Sequence, residues 1–132
     1  MAVLVVIDSS ALLAILLGEP ERGQFLRQLS ESETRLLSAA NALETAIVVE
    51  SRRGETAGRE LDLLLHRAEI AIVPVDAEQF SIARYAWRKF GKGRHRAALN
   101  FGDCFAYALA KTSSEPLLAK GGDFSQTDLQ LL

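Results

Sequence analysis

Four acidic residues of this chain share a context that is unusual for surface acids. Each interrupts apolar sequence and lies at the end of a predicted strand or near the start of a predicted helix: Asp8, Glu44, Asp103 and Asp123. Carboxylates gathered in one cleft repel each other, so some hold protons unless cations neutralise them. Carboxylate oxygens suit Mg²⁺ or Mn²⁺. The pattern therefore predicts a divalent-metal site that can activate water for attack on phosphorus.

The segment that positions Asp8 is the start of the chain. Residues 3–7 are all apolar and mostly β-branched, and a helical pattern over residues 9–17 follows at once, with Ser9 or Ser10 as its cap. Such a run predicts a buried parallel strand. Ligands of open α/β sheets bind outside the carboxyl ends of strands, which is where Asp8 falls.

The remaining pattern alternates strands with helices and predicts a parallel sheet with helices on both faces. Parallel crossovers bring strand ends and helix starts to one edge of the sheet, so the four acids can converge. Pro74 indicates an edge position or the end of its strand. The predicted strands are residues 3–7, 34–37, 71–75, 117–119 and 129–132. The predicted helices are residues 9–17, 38–53, 76–90 and 101–111, together with one that starts at Pro20 and one that follows the 54–58 connection and ends near residue 67.

Composition narrows the function classes. The 132 residues suffice for one domain with a real core, and the net charge is −2. Cys104 is the only cysteine, and His66 lies far from His95, so disulfides and a zinc-enzyme pattern are not expected. No segment reads as a membrane span or signal peptide, which predicts a cytoplasmic protein.

Charge is distributed unevenly along the chain. Residues 79–102 contain no acid, and among their basic residues are Arg84, Arg88, Lys89, Lys92, Arg94 and Arg96. A basic stripe in a mildly acidic protein is compatible with binding a polyanion. The same stripe is equally compatible with a solvated helix face followed by a basic loop.

The segments around the acids closely resemble PIN-domain ribonucleases of the VapC toxin type. The resemblance is carried by Val6-Ile-Asp8-Ser-Ser10 with Gly18-Glu-Pro20-Glu, by Glu44 in its helix, and by Leu99-Asn-Phe-Gly-Asp103-Cys-Phe-Ala-Tyr and Leu118-Ala-Lys-Gly-Gly-Asp123-Phe-Ser-Gln-Thr-Asp128. It covers essentially the whole chain. By position, the four acids match the family's acidic quartet, Ser10 matches a small hydroxyl residue, and Thr127 and Asp128 match an accessory polar pair.

The resemblance implies a three-layer α/β/α sandwich with a short, mainly parallel sheet, formed by residues 1–132 as a single PIN-like domain. It implies a Mg²⁺- or Mn²⁺-dependent endoribonuclease, the toxin of a toxin–antitoxin pair, which forms a homodimer and is inhibited by a cognate antitoxin. Asp8, Asp103 and Asp123 would bind metal directly, whereas Glu44 would either bind metal or orient water. RNA contacts are expected from Arg88, Lys89, Lys92, Arg94 and Arg96.

Other readings of the residues stay open. The chain has 17 acids, and four scattered ones can be structural. A receiver-like phosphoacceptor domain also places acids at strand ends, but it would want paired acids after the first strand. A non-catalytic RNA- or protein-binding module with a relic metal site would keep the same residues. A dinucleotide-binding fold is disfavoured because no G-x-G-x-x-G follows the first strand.

Overall fold

A computed structural model describes residues 4–132, so Val3, where the first strand was predicted to begin, lies outside the described residues. Among the described helices, none combines the length and apolarity that crossing a membrane requires. The elements in chain order are β1 (Leu4–Ile7), α1 (Ser9–Leu16), α2 (Arg22–Glu31), β2 (Thr34–Ser38), α3 (Ala39–Arg53), α4 (Glu55–Arg67), β3 (Ile70–Val73), α5 (Ala77–Phe90), α6 (Phe101–Ser113), β4 (Leu117–Leu118) and a 3₁₀ turn (Phe124–Gln126).

The sheet is parallel throughout, with strand order β3-β2-β1-β4. Side chains of the central strand β1 alternate between two apolar clusters. Val5 and Ile7 pack with α1, α2 and α4 on one face, and Val6 packs with α5 and α6 on the other. This arrangement confirms the α/β/α sandwich, and the residues of β1 are buried on both faces as its apolar sequence requires.

Helix α3 connects the two layers at the carboxyl edge of the sheet. It contacts α1 and α4 on one side and α6 on the other. Ser38 begins it by accepting a hydrogen bond from the Ala40 N–H at 3.3 Å. Because α3 starts directly after β2, its first turns lie at the edge where β1 ends, which brings Glu44 to the same edge as Asp8.

Two predicted helix starts are wrong. The cap of α1 is Asp8 and not Ser9 or Ser10: the Asp8 carboxylate accepts from the Ser10 N–H at 3.0 Å, and a carboxylate is a strong N-cap acceptor. Pro20 does not begin α2, which starts at Arg22. Gly18 ends α1 with φ of +69°, and the chain needs a further turn before it can enter the next helix.

Two connections also differ from the prediction. Residues 54–58 are not a loop, because Gly54 alone, with φ of +83°, separates α3 from α4. Residues 129–132 do not form a strand; Leu131 makes one isolated bridge to Leu117. Strand β4 has only two residues, so it offers a neighbour little to pair with. The prediction for Pro74 is confirmed, since β3 lies at the sheet edge and ends at Val73.

Arg35, near the amino-terminal end of β2, holds the end of the sheet that lies opposite to the acids. Its guanidinium donates to the backbone carbonyls of Leu29 at 2.6 Å, Ser32 at 2.6 Å and Ala68 at 2.9 Å. These carbonyls lie at the ends of α2 and α4, where helical hydrogen bonds run out. One side chain therefore fixes two helix ends relative to the sheet.

We expect Arg35→Met to lower the free energy of unfolding by about 1–3 kcal/mol, because three carbonyls lose the guanidinium while the apolar stem is kept. Of these carbonyls, that of Leu29 still accepts from the Ser32 N–H. Urea unfolding followed by circular dichroism measures the change. Arg27→Met is the matched control, since Arg27 is exposed on α2. Equal unfolding midpoints for the two variants would contradict this role of Arg35.

Candidate active site

Asp8 is the most enclosed of the four acids, with 3 % of its surface exposed. Its Oδ2 accepts from the Ser10 N–H, whereas its Oδ1 is buried with no hydrogen-bond partner. Burial raises the pKa of Asp8, hydrogen bonds from Ser10 and Ser9 lower it, and the charge of Glu44 raises it; the net effect is upward. An orphaned carboxylate oxygen in such a site is an open ligand position.

Glu44 is held by two side chains from separate elements. Its Oε1 accepts from the Ser9 hydroxyl at 2.5 Å and from Asn41 Nδ2 at 3.3 Å. Asn41 is fully buried, and the same Nδ2 donates to the Gly102 carbonyl at 3.0 Å. A short network therefore joins α1, α3 and α6 through the Glu44 carboxylate.

Gly102 leaves the room that the Glu44 carboxylate occupies. A Cβ at this position would overlap both carboxylate oxygens of Glu44. Gly102 is itself buried in the first turn of α6, immediately before Asp103. The absence of a side chain here lets α3 and α6 approach closely enough for Glu44 and Asp103 to share one cleft.

Asp103 is the residue at which the four charges meet. It forms a capping box with Asn100: the Asn100 N–H donates to Asp103 Oδ2 at 3.0 Å, and the Asp103 N–H donates to Asn100 Oδ1 at 2.9 Å. Burial raises the pKa of Asp103 to about 7, with further contributions from the charges of Asp8, Asp123 and Glu44. All four predicted acids thus lie within electrostatic reach of this site.

Asp123 is exposed and stands at the start of the 3₁₀ turn, where its side chain makes no capping bond. The buried Phe124 next to it anchors the turn in the α5–α6 layer. The loop that precedes Asp123 is held by α1, because the Lys120 N–H donates to the Ser10 hydroxyl at 2.9 Å. Lys120 Nζ also pairs with Glu19 at 3.1 Å and Glu21 at 3.5 Å.

The four acids do not form a closed cage. Within residues 4–132, no three acidic, histidine or cysteine side chains are drawn together as a ready-made metal cage. The donor set nevertheless fits a hard cation, because it consists of carboxylate oxygens and includes the unpartnered Oδ1 of Asp8. Cys104 offers no alternative nucleophile, since burial and the charge of Asp103 raise its pKa to about 11.

The three accessory residues have different places. Ser10 lies beside Asp8 through its backbone and turns its hydroxyl to Lys120. The Thr127 hydroxyl bonds within its own turn, to the Phe124 carbonyl at 2.6 Å. Asp128 is engaged elsewhere, by the Tyr107 hydroxyl at 2.7 Å and Lys111 Nζ at 2.7 Å.

The setting of Asp128 is structural. Partial burial opposes ionisation, yet hydrogen bonds from Lys111 and Tyr107 hold the pKa of Asp128 below its ordinary value. Tyr107 is fully buried in α6, so the pair ties the C-terminal segment to that helix. The structure thus does not bring Asp128 together with the quartet.

The basic residues predicted to contact RNA are all exposed, at the end of α5 and in the following loop. The Lys89 ammonium bonds the Tyr85 hydroxyl at 3.1 Å. The Arg94 guanidinium lies 4.1 Å from the centre of the Trp87 ring. These contacts hold two of the cations on aromatic side chains without neutralising their charge; the full predicted set is Arg88, Lys89, Lys92, Arg94 and Arg96.

Sequence reasoning missed three supporting residues: Ser9, Asn41 and Gly102. A signal existed for two of them. Asn41 precedes Glu44 by three residues in an apolar helix, and Gly102 is a poor helix former placed in a first turn. For Ser9 there was no local signal, because the sequence does not show which of two adjacent hydroxyls turns to Glu44.

Comparison with known proteins places these features in context. The family model described as "PIN domain" matches residues 5–129. The "Ribonuclease VapC" of Mycolicibacterium smegmatis is 58% identical over 124 residues, which cover 94% of this chain and 96% of the relative.

Two solved structures share the fold. Mycobacterium tuberculosis VapC20, described as a "Sarcin-Ricin loop cleaving toxin", has a TM-score of 0.78 at 19% identity and covers 97% of this chain and 98% of its own. A "Toxin-antitoxin complex from Klebsiella pneumoniae" has a TM-score of 0.69 at 14% identity, covering 94% and 92% of the two chains.

The raised pKa of Asp103 predicts a pH dependence of stability without divalent cations. Between about pH 4 and pH 7 the folded state holds a proton that the unfolded state has released, so stability falls as pH rises through this window. At pH 8 we expect Asp103→Asn to raise the free energy of unfolding by about 1–2 kcal/mol, a value reduced for partial exposure.

Urea titrations of both proteins in chelator, at pH 4.5 and pH 8, test this expectation. The Asn side chain keeps an oxygen that can accept from the Asn100 N–H, so the helix cap is preserved. If the stabilities of the wild type and of Asp103→Asn changed by the same amount between these pH values, the raised pKa of Asp103 would be contradicted.

Proposed function

Because this chain belongs to the PIN-domain family, we propose that it is an endoribonuclease that hydrolyses RNA phosphodiester bonds with the aid of Mg²⁺ or Mn²⁺. The observation that carries the proposal is geometric. The Glu44 carboxylate packs against Gly102, directly before Asp103, and the buried Oδ1 of Asp8 has no hydrogen-bond partner. The name of the Mycolicibacterium relative, a ribonuclease, supports the same reaction. In this proposal residues 1–132 act as one domain.

The residues that would hold the metal are Asp8, Asp103 and Asp123, with Glu44 as a fourth ligand or as the residue that orients water. The buried, unpartnered Oδ1 of Asp8 supports a cation at this place, because a buried charge without a partner is costly. When bound, a divalent cation supplies Lewis acidity that activates water and neutralises charge on the phosphate.

The protein's own groups have separable tasks. Ser9 and Asn41 both donate to Oε1 of Glu44, so Oε2 is the oxygen available to orient the attacking water or to take its proton. Asp103 is fixed by the helix cap and cannot swing away from the cleft. The exposed cations at the end of α5 and in the next loop would hold the RNA backbone.

We further propose that this ribonuclease is the toxin of a toxin–antitoxin pair, is inhibited by a cognate antitoxin and forms a homodimer. The fold neighbour from Klebsiella pneumoniae is a toxin–antitoxin complex, which supports an antitoxin partner. A small open reading frame directly upstream, whose product co-purifies with this chain and stops RNA cleavage, is the expected finding. Size-exclusion chromatography with light scattering tests the dimer.

We expect Asp8→Asn to lower RNA cleavage by more than about 100-fold, beyond the loss typical of residues that only support a metal ligand. The fold should persist, because the substitution removes a buried charge that repels its neighbours. Cleavage of total RNA with Mg²⁺ or Mn²⁺, with and without chelator, is the measurement. Asp62→Asn, an exposed acid on α4, is the matched control.

Cleavage by Asp8→Asn at the wild-type rate would end the assignment of Asp8. RNA binding by the wild-type chain without turnover at any metal concentration would instead favour the non-catalytic binding module. Transfer of a phosphoryl group from a small phosphodonor to Asp8 would favour the receiver-like alternative.

We expect Gly102→Ala to lower cleavage by about 10–100-fold, because the added methyl group displaces the Glu44 carboxylate from its two donors. Alanine favours helix, so the loss cannot be attributed to weaker helix propensity. Gly23→Ala in α2 is the control, since its Cβ would meet no atom within 4 Å. Equal rates for the two variants would show that the position of Glu44 is not important.

A further inference from the structure

Lys120 lies between the end of β4 and Asp123, and no other cation is as close in sequence to one of the four acids. Its ammonium nitrogen is 3.1 Å from an oxygen of Glu19 and 3.5 Å from an oxygen of Glu21. The three side chains are each about one-third exposed, at 36%, 34% and 31%. One ammonium group therefore bridges two carboxylates of the segment that connects α1 to α2.

Both carboxylates belong to backbone that is tied to the core. The Glu19 N–H donates to the carbonyl of Ala14 at 2.8 Å, and Ala14 is fully buried. The Glu21 carbonyl accepts from the N–H of Phe25 at 3.0 Å, and Phe25 is 5% exposed. The bridge thus connects Lys120 to a rigid part of the molecule.

The backbone of Lys120 has a second anchor, which leads to Asp8. The Lys120 N–H donates to the Ser10 hydroxyl at 2.9 Å, and the Ser10 N–H donates to Oδ2 of Asp8 at 3.0 Å. Ser10 therefore links the position of Lys120 to that of the buried acid at the end of β1.

The residues between Lys120 and Asp123 cannot hold the loop through side chains, because both are glycine. Gly121 has φ of +88°, in the region that favours glycine, and a Cβ there would meet no atom within 4 Å. Asp123 itself makes no capping bond, and the next residue, Phe124, is buried. The place of Asp123 is consequently set by the two residues that flank this segment, Lys120 and Phe124.

We propose that Lys120 is a positioning residue: its bridge to Glu19 and Glu21 fixes the loop so that Asp123 meets the same cation as Asp8. A ligand that is held in place before the cation binds needs less reorganisation, which strengthens binding and keeps the reacting groups aligned. The inference rests on the proposed ribonuclease function. Lys120 acts in it through Asp123 and does not touch the substrate.

Direct pairing of Lys120 with an RNA phosphate is the competing role. One ammonium and two carboxylates leave this cluster with a negative net charge, which repels a polyanion. The two roles are separable because Lys120→Met and the double substitution Glu19→Gln/Glu21→Gln change the net charge in opposite directions. A role through charge moves the KM for RNA in opposite directions, whereas the loss of a bridge has the same effect in both variants.

Amide hydrogen exchange followed by NMR in chelator tests the bridge without RNA or metal. The readout is the protection factor of the amide of residue 120, which the Ser10 hydroxyl accepts in the wild type. Both variants should lower this factor about fivefold, because the loop opens locally more often. Lys120→Arg, which keeps the charge and can reach the same carboxylates, should preserve it.

The effect on the site is measured by Mn²⁺ binding without RNA, from the electron paramagnetic resonance signal of the free ion, and by initial rates of cleavage of total RNA. Both variants should weaken Mn²⁺ binding and lower kcat about tenfold, with KM changed less than about twofold. Combining them should cause no further loss, since both remove one bridge. Lys120→Arg should restore most of both quantities.

Lys111→Met is the matched control. Lys111 forms an ion pair of similar exposure, with Asp128 at 2.7 Å, and its side chain is 38% exposed. This variant should keep the protection factor of residue 120, the Mn²⁺ affinity and kcat. Thermal unfolding of every variant separates a local change in the loop from a general loss of stability.

Two results would overturn the inference. The first is an unchanged protection factor and Mn²⁺ affinity in both variants; the second is KM values that move in opposite directions while kcat stays constant, which would assign Lys120 to charge alone. Normal cleavage with unaffected variants removes only the role of Lys120. A lowered protection factor and weaker Mn²⁺ binding in a chain that cleaves no RNA remove only the hydrolase assignment.

Discussion

The burial of carboxylates at one edge of the sheet, to which their mutual repulsion adds, is the constraint on which this structure depends. Asp8 is buried at the end of the central strand, and one of its carboxylate oxygens has no hydrogen-bond partner. The charge of Asp8 contributes to the raised pKa of Asp103. A protein that needed only stability would replace such a group with an apolar side chain or pair it with a cation. In the proposed function this cost is retained because the acids are arranged for a cation that the chain does not itself supply.

Much of the surrounding structure keeps three of the four acids, Asp8, Glu44 and Asp103, at fixed positions despite that cost. Asp8 is held by the backbone of the helix it caps, and Asp103 by its box with Asn100. Glu44 is held by Ser9 and Asn41, with Gly102 leaving the necessary space. In each case the group that binds the carboxylate also fixes a helix start or a helix crossing, so the fold and the site share the same contacts.

The cationic surface lies beside the acids and not among them. The cations of α5 and the following loop are exposed. Among them, Lys89 bonds the Tyr85 hydroxyl and Arg94 lies over the Trp87 ring. In the proposed function this separation leaves the acids free for a metal and the cations free for a polyanion. An enzyme that brings a negatively charged substrate to a negatively charged cleft needs both, because the backbone charge of the substrate must be met before its phosphate can approach.

Local sequence predicted the parallel sheet and most of the order of elements, and it singled out the four acids, since apolar periodicity and parallel crossovers indicate which residues reach the carboxyl edge. It was wrong about a final strand at residues 129–132. The tertiary structure alone decided that Ser9, and not Ser10, bonds Glu44, that Asp128 pairs with Lys111 and Tyr107, and that Gly102 makes room for a carboxylate. These outcomes depend on distances of a few tenths of an ångström between residues far apart in the chain. Periodicity predicts the face on which a residue lies, but it does not predict the atom that it contacts.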